Sequence, residues 1–194
     1  MALKRLVIDG FGQLELNQVA FRRDGRIEAQ CFLDETDFAE VPAENGMLLA
    51  IDRVNRRVKF PVDDSLPIAL NYTTEHMYDE RQVGLKDFKL DRQDRTRLDG
   101  DNFLPRLGYL SIGELFTTNC ICYDDDEFAD DDALKEATKD KDTLSASPVY
   151  GGISEQGAIK VSATKPTEGP VLKVVEPFTM PDGQFAYKFH VLKA

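Results

Sequence analysis

Met180-Pro181-Asp182-Gly183 stands between two apolar runs, Val171-Leu172-Lys173-Val174-Val175 and Phe185-Ala186-Tyr187-Lys188-Phe189-His190-Val191. Proline presets one torsion of a turn and glycine supplies another, so the tetrapeptide predicts a chain reversal, with the second run pairing back on the first. Side chains alternate along a strand, which puts Phe185, Tyr187, Phe189 and Val191 on one face. A face that apolar needs a core to cover it. The end of the chain therefore predicts a β body.

Upstream, Val149-Tyr150, Ala158-Ile159-Lys160-Val161 and Thr117-Thr118-Asn119-Cys120-Ile121-Cys122-Tyr123 read as further strands. The first 60 residues follow the same pattern. Val19 and Phe21, then Ile27, Ala29, Cys31 and Leu33, alternate with polar neighbours around Arg23-Asp24-Gly25-Arg26. Asp-Gly between alternating runs predicts a hairpin with a primed turn. A second hairpin is expected from Met47-Leu48-Leu49-Ala50-Ile51 to Val58-Lys59-Phe60, turning near Asn55 and ended by Pro61, which offers no ladder N–H. Leu66 to Tyr72 adds one more strand. The fold class is mainly β, a β-sandwich or barrel-like body of one domain over 1–194, with 1–61 as an N-terminal β-hairpin subdomain.

Two stretches break the pattern. Residues 81–102 set Arg, Lys, Asp and Gln around a few apolar anchors, too polar to fill two buried faces, and read as a loop or arm. Residues 124–147 read as a second excursion holding one short acidic helix from Phe128 to Lys139. Asp130 is placed to cap it, and Asp131 and Asp132 complement its dipole.

The 194 residues carry 24 Lys+Arg against 35 Asp+Glu, a net charge of −11. Residues 124–142 alone hold 10 acidic and 3 basic side chains, so the remainder is nearly neutral. Such a balance argues against direct nucleic-acid binding or an anionic membrane surface, since both need a concentrated basic face. No window approaches 18 consecutive apolar residues, and the apolar run after Met1 is too short for a secretory leader. Three cysteines, an odd and sparse set, predict free thiols in a reducing compartment.

Catalytic and cofactor motifs are missing, and no cofactor or metal is expected. The acidic run fails calcium-loop spacing: counting from Asp124, position 5 is Phe128 and position 6 is Ala129 where glycine is required. Cys120 and Cys122 share a strand face, but zinc needs further Cys or His partners at workable spacing, and only Cys31, His76 and His190 remain. Gly10-Phe11-Gly12 lacks the third glycine and the following helix of a phosphate loop. A hydrolase or small-ligand site, were there one, would centre on His190 with Glu176 or Asp182 across the last hairpin. The best surface candidates are arginines on two turns: Arg22, Arg23 and Arg26 on the first, Arg53, Arg56 and Arg57 on the second. Arginine's planar fork suits carboxylates, so Arg23, Arg26, Arg56 and Arg57 are the expected contacts with an acidic protein partner.

Leu70-Asn71-Tyr72-Thr73-Thr74-Glu75, Pro105-Arg106-Leu107-Gly108-Tyr109-Leu110 and Phe116-Thr117-Thr118-Asn119 ahead of Cys122-Tyr123-Asp124 carry a resemblance, completed by Val149-Tyr150-Gly151 through Gly157-Ala158-Ile159-Lys160-Val161. In texture and order these resemble the small structural, head-associated proteins encoded beside the capsid gene of tailed bacteriophages. The resemblance implies a non-enzymatic virion protein, made in the host cytoplasm, that decorates or cements the capsid in many copies. Its implied partners are the major capsid protein, other virion proteins and copies of itself. A head–tail connector or tail ring is the alternative within the same class.

Overall fold

A computed structural model describes residues 2–28, 31–73 and 104–194. In chain order the described elements are β1 (Leu3–Arg5), β2 (Leu14–Gln18), α1 (Ala20–Asp24), β3 (Phe32–Leu33), β4 (Leu48–Asp52), β5 (Arg57–Lys59) and β6 (Ile68–Asn71). There follow β7 (Leu107–Gly108), β8 (Leu115–Thr118), β9 (Ile121–Asp124), α2 (Asp131–Ala137), α3 (Lys141–Ala146), β10 (Tyr150–Gly152), β11 (Ile159–Ser162), β12 (Val171–Thr179) and β13 (Phe185–Lys193). The protein is mainly β, with an eight-stranded sheet ordered β1-β9-β11-β10-β12-β13-β8-β2 and a five-stranded sheet ordered β3-β5-β4-β6-β7.

Connectivity forces the large sheet to curl. β8 and β9 are joined by Asn119 and Cys120 alone, yet they lie five strand spacings apart in the sheet. In a flat sheet that separation would be about 24 Å, whereas the three peptide units from Thr118 to Ile121 span about 11 Å at most. The sheet bends into a half-barrel that brings its two ends toward each other. Gln184 fastens this closure: its amide donates to the Asp9 carbonyl at 3.0 Å and its oxygen accepts from Asp9 N at 2.7 Å, tying the β1–β2 connection to the β12–β13 turn.

The last hairpin forms as expected, with β12 antiparallel to β13 and Tyr187, Phe189 and Val191 fully buried. Pro177 is tolerated inside β12 because, among the described residues, no strand pairs with that strand's outer side beyond Lys173. The predicted hairpin of β4 and β5 is also present, antiparallel with Ile51 opposite Val58. β4 is buried on both faces: Leu48 joins the core within the curled sheet, while Leu49 and Ile51 join a second core with Leu33, Phe38 and Val58. This explains its unbroken apolar run, since a strand covered on both sides shows no alternation.

Four expectations change. Around Asp24-Gly25 there is no hairpin. Residues 20–24 form α1, and Gly25, at φ 66°, closes it with its N–H on the Arg22 carbonyl. A left-handed glycine ends a helix as readily as it makes a primed turn, and burial of Phe21 against Tyr72 favours the helix here. The stretch 117–123 is two strands with a corner at Asn119-Cys120. Residues 1–61 are no separate subdomain, because β1 and β2 sit at opposite ends of the large sheet while β3, β4 and β5 belong to the small one. Residues 124–147 pack on the body: Phe128, Leu134 and Leu144 are buried in the main core, and the stretch holds two helices. Asp130 caps α2 as expected, accepting from Ala133 N at 2.8 Å, and Asp140 caps α3 from Thr143 N at 2.7 Å. The other expected arm, 81–102, lies outside the described residues.

Candidate interaction surface

The turn between β4 and β5 is built by Asp52. Its carboxylate accepts from Asn55 N at 2.9 Å and from the Asn55 amide at 2.7 Å, and these two bonds hold it below the ordinary carboxylate value. Locked this way, Arg53-Val54-Asn55-Arg56 projects from the small sheet. Arg56 takes φ 55°, the one non-glycine in the left-handed region among the described residues. Glycine or asparagine would adopt that conformation at lower cost, so an arginine here is held by its surroundings. Its carbonyl accepts from Phe32 N at 3.1 Å.

Arg53 links this turn to the segment that follows α1. Its guanidinium donates to the Glu28 carbonyl at 2.9 Å and to the Tyr109 hydroxyl at 3.3 Å, and it lies 3.7 Å from the Glu28 carboxylate. On the α1 side, the Tyr72 hydroxyl donates to the Arg26 carbonyl, and Glu28 N to the Leu107 carbonyl at 2.8 Å. Two loops far apart in sequence thus become neighbours. Arg26 and Arg56 are exposed on them, and so are the apolar side chains Ile27 (50%) and Val54 (92%).

The four candidate arginines do not behave alike. Arg26 and Arg56 point outward on the joined loops. Arg23 pairs with its neighbour Asp24 at 3.4 Å while remaining exposed, beside a groove lined by α1 and the exposed Ile112. Arg57 is half-buried, 3.2 Å from Glu35 and 6.0 Å from the centre of the Phe32 ring, and serves the sheet edge. Ile27, which alternation assigned to a strand, was missed as a surface residue. Its signal would have been the glycine cap that turns the chain outward before it.

Elsewhere the chemistry is bound up in structure. His190 faces Lys173 and Leu115 in the ladder, Glu176 accepts from Lys141 and Lys188 at 2.7 Å each, and Asp182 accepts from Gln13 and Gln184 at 2.6 Å. Among the described residues no hydrogen bond or ion pair joins His190 to either carboxylate. Cys120 and Cys122 are buried, and burial pushes their thiols up to about 12 and about 11. Arg5, in β1, clasps Glu44 at 2.9 Å beside Cys120, and Glu44 also accepts from Gly12 N at 2.7 Å, which ties the two sheets together. Most of the acidic run is wired inward too: Asp124 to Lys160 at 2.7 Å, and Asp131 to Val7 N at 2.9 Å and to the Tyr123 hydroxyl at 2.6 Å. No cluster of three metal-ligating side chains occurs among the described residues, and His76 lies outside them. Comparisons with protein families, with curated proteins and with solved structures find no match to the chain.

Proposed function

We propose that the chain is a non-enzymatic structural protein of a tailed-phage particle, made in the host cytoplasm and incorporated in many copies, and that it decorates or cements the capsid. The observation that carries this reading is the pair of linked loops bearing Arg26, Ile27, Val54 and Arg56. Apolar side chains flanked by guanidinium groups, on a turn rigid enough to hold Arg56 at positive φ, are the composition of a protein-docking site. Arginine there suits the carboxylates of an acidic capsid-protein surface. The body behind it fits the task, since the Arg5–Glu44 ion pair joins β1 of the large sheet to the segment leading into β4, whose far end carries the Arg56 turn. The resemblance in texture to head-associated proteins supplies the identity of the partner.

Co-sedimentation with capsids purified without this protein tests the proposal. Saturable binding is expected, weakened by salt and reduced about tenfold or more in R26A/R56A. Absence of binding to capsids, connectors and tails of the producing phage overturns it, as does binding that ignores both arginines.

A further inference from the structure

The connection between β11 and β12 closes on the small sheet at Gly169. That glycine sits at φ 65°, and a Cβ on it would lie 2.9 Å from Ile153 Cγ2 and 3.2 Å from Ile68 Cδ1, the latter at the start of β6. Beside this contact lies a cleft of about 340 Å³. Leu66, Pro67 and Ile68 line it from the small sheet, and Pro170 and Lys193 line it from the paired ends of β12 and β13 in the large one. Leu110, buried in the main core, and Tyr109, packed on the second, complete the apolar wall from the segment after β7. This wall is fixed on both sides. The Pro67 carbonyl accepts from Ile51 N at 2.8 Å, and the Tyr109 hydroxyl accepts from Arg53 at 3.3 Å. Two charged residues border the cleft, Asp64 from the β5–β6 connection and Lys193 from the end of β13. Among the described residues neither has an ion pair or a side-chain hydrogen bond, and they do not pair with each other.

We propose that this cleft binds a free α-amino acid with an aliphatic or aromatic side chain. The side chain packs on Leu66, Ile68 and Pro170, the ligand carboxylate accepts from the Lys193 ammonium, and the ligand ammonium donates to the Asp64 carboxylate. Opposite charges that border one apolar cleft without neutralising each other suit a ligand carrying both signs, whereas a ligand with one charge leaves the other unanswered. The size agrees, since ligand pockets run from roughly 300 to 1,000 Å³ and this one lies at the small end, too small for a dinucleotide or a sugar chain. Both charges are exposed, so each adds modest affinity and the apolar wall supplies the rest. The site uses none of the loop residues Arg26, Ile27, Val54 and Arg56. It therefore goes beyond the capsid reading and holds or fails without a capsid present.

The test is an NMR titration of the full, isotope-labelled chain with L-phenylalanine, with 3-phenylpropionate, which lacks the ammonium, and with 2-phenylethylamine, which lacks the carboxylate. Wild type, K193Q and D64N are compared. Both positions are exposed, and circular dichroism with thermal melting verifies that each variant folds. L-Phenylalanine is expected to bind wild type saturably with a Kd of about 1 mM, shifting the amides of Ile68, Tyr109, Leu110 and Lys193. Each analogue should bind at least about fivefold more weakly. K193Q should erase the preference for phenylalanine over the amine and keep its preference over the carboxylate. D64N should do the reverse. No saturable shift at these amides up to about 20 mM overturns the proposal. So does an analogue that binds wild type as tightly as phenylalanine, or a pair of folded variants that keep both preferences. Capsid co-sedimentation is read separately, so failure of one proposal is distinguishable from failure of the other.

Discussion

Gly46 and Gly183 share nearly the same backbone torsion, φ 88° and φ 89°, in opposite surroundings. A Cβ on Gly183 would meet nothing within 4 Å, whereas one on Gly46 would lie 2.1 Å from Thr118 Oγ1 and 3.1 Å from Cys120 Cβ. Alanine at 183 therefore suffers only the left-handed backbone, about 1–2 kcal/mol. Alanine at 46 suffers the same and displaces the Thr118 hydroxyl, which donates to the Gln13 carbonyl at 2.6 Å and accepts from Cys120 N at 3.0 Å. Losing those two bonds costs about 1 kcal/mol each, and overpacking adds about 1–3 kcal/mol. G46A should thus be less stable than G183A by about 3 kcal/mol or more, near 6–12 °C in Tm for a chain of this size. Urea denaturation of both variants, with calorimetry alongside, measures the difference. In the G46A background, T118A should recover part of the loss, because it removes the obstacle. Equal destabilisation of G46A and G183A, within about 1 kcal/mol, would refute the packing of the two sheets around Gly46.

Three other outcomes follow from particular buried or paired side chains. L134A should destabilise by about 3 kcal/mol, because this fully buried leucine anchors α2 in the main core; a change below about 1 kcal/mol by chemical denaturation would return 124–147 to the status of an arm. All three thiols should resist a disulfide reagent in the native protein at pH 8 and react together on unfolding, since Cys31, Cys120 and Cys122 are buried and burial raises the last two to about 12 and about 11. Hydrogen bonds from Lys141 and then Lys188 lower the Glu176 carboxyl below its ordinary value of 4.5. The stability this contributes is present above pH 4.5 and lost as pH falls through the lowered value, so the Tm gap between wild type and E176Q should narrow on acidification; a gap independent of pH would contradict it.

The terminal hairpin, the β4–β5 hairpin and the Asp130 cap were legible because each is local. Turn residues, two-residue alternation and a capping side chain act over a few positions, and nothing distant overrides them. Asp24-Gly25 was legible only in part: the positive φ was there to read, but helix or hairpin depended on whether Phe21 found a pocket, and Tyr72 and Gly108 supply it from remote segments. Residues 124–147 misled through composition, since three buried side chains suffice to dock a segment whose many charges face water or are capped and paired. The candidate surface was half visible. Arginines at two turns could be listed from the chain, while their union through Arg53 and Glu28, the exposure of Ile27 and Val54, and the withdrawal of Arg57 to Glu35 are tertiary facts. By itself the sequence determined the β class, the strands with a clear turn signal and where the charge lies. Only the tertiary structure decided the curl of the large sheet and which loops became neighbours, because a two-residue corner constrains strands five places apart and no local pattern encodes that distance.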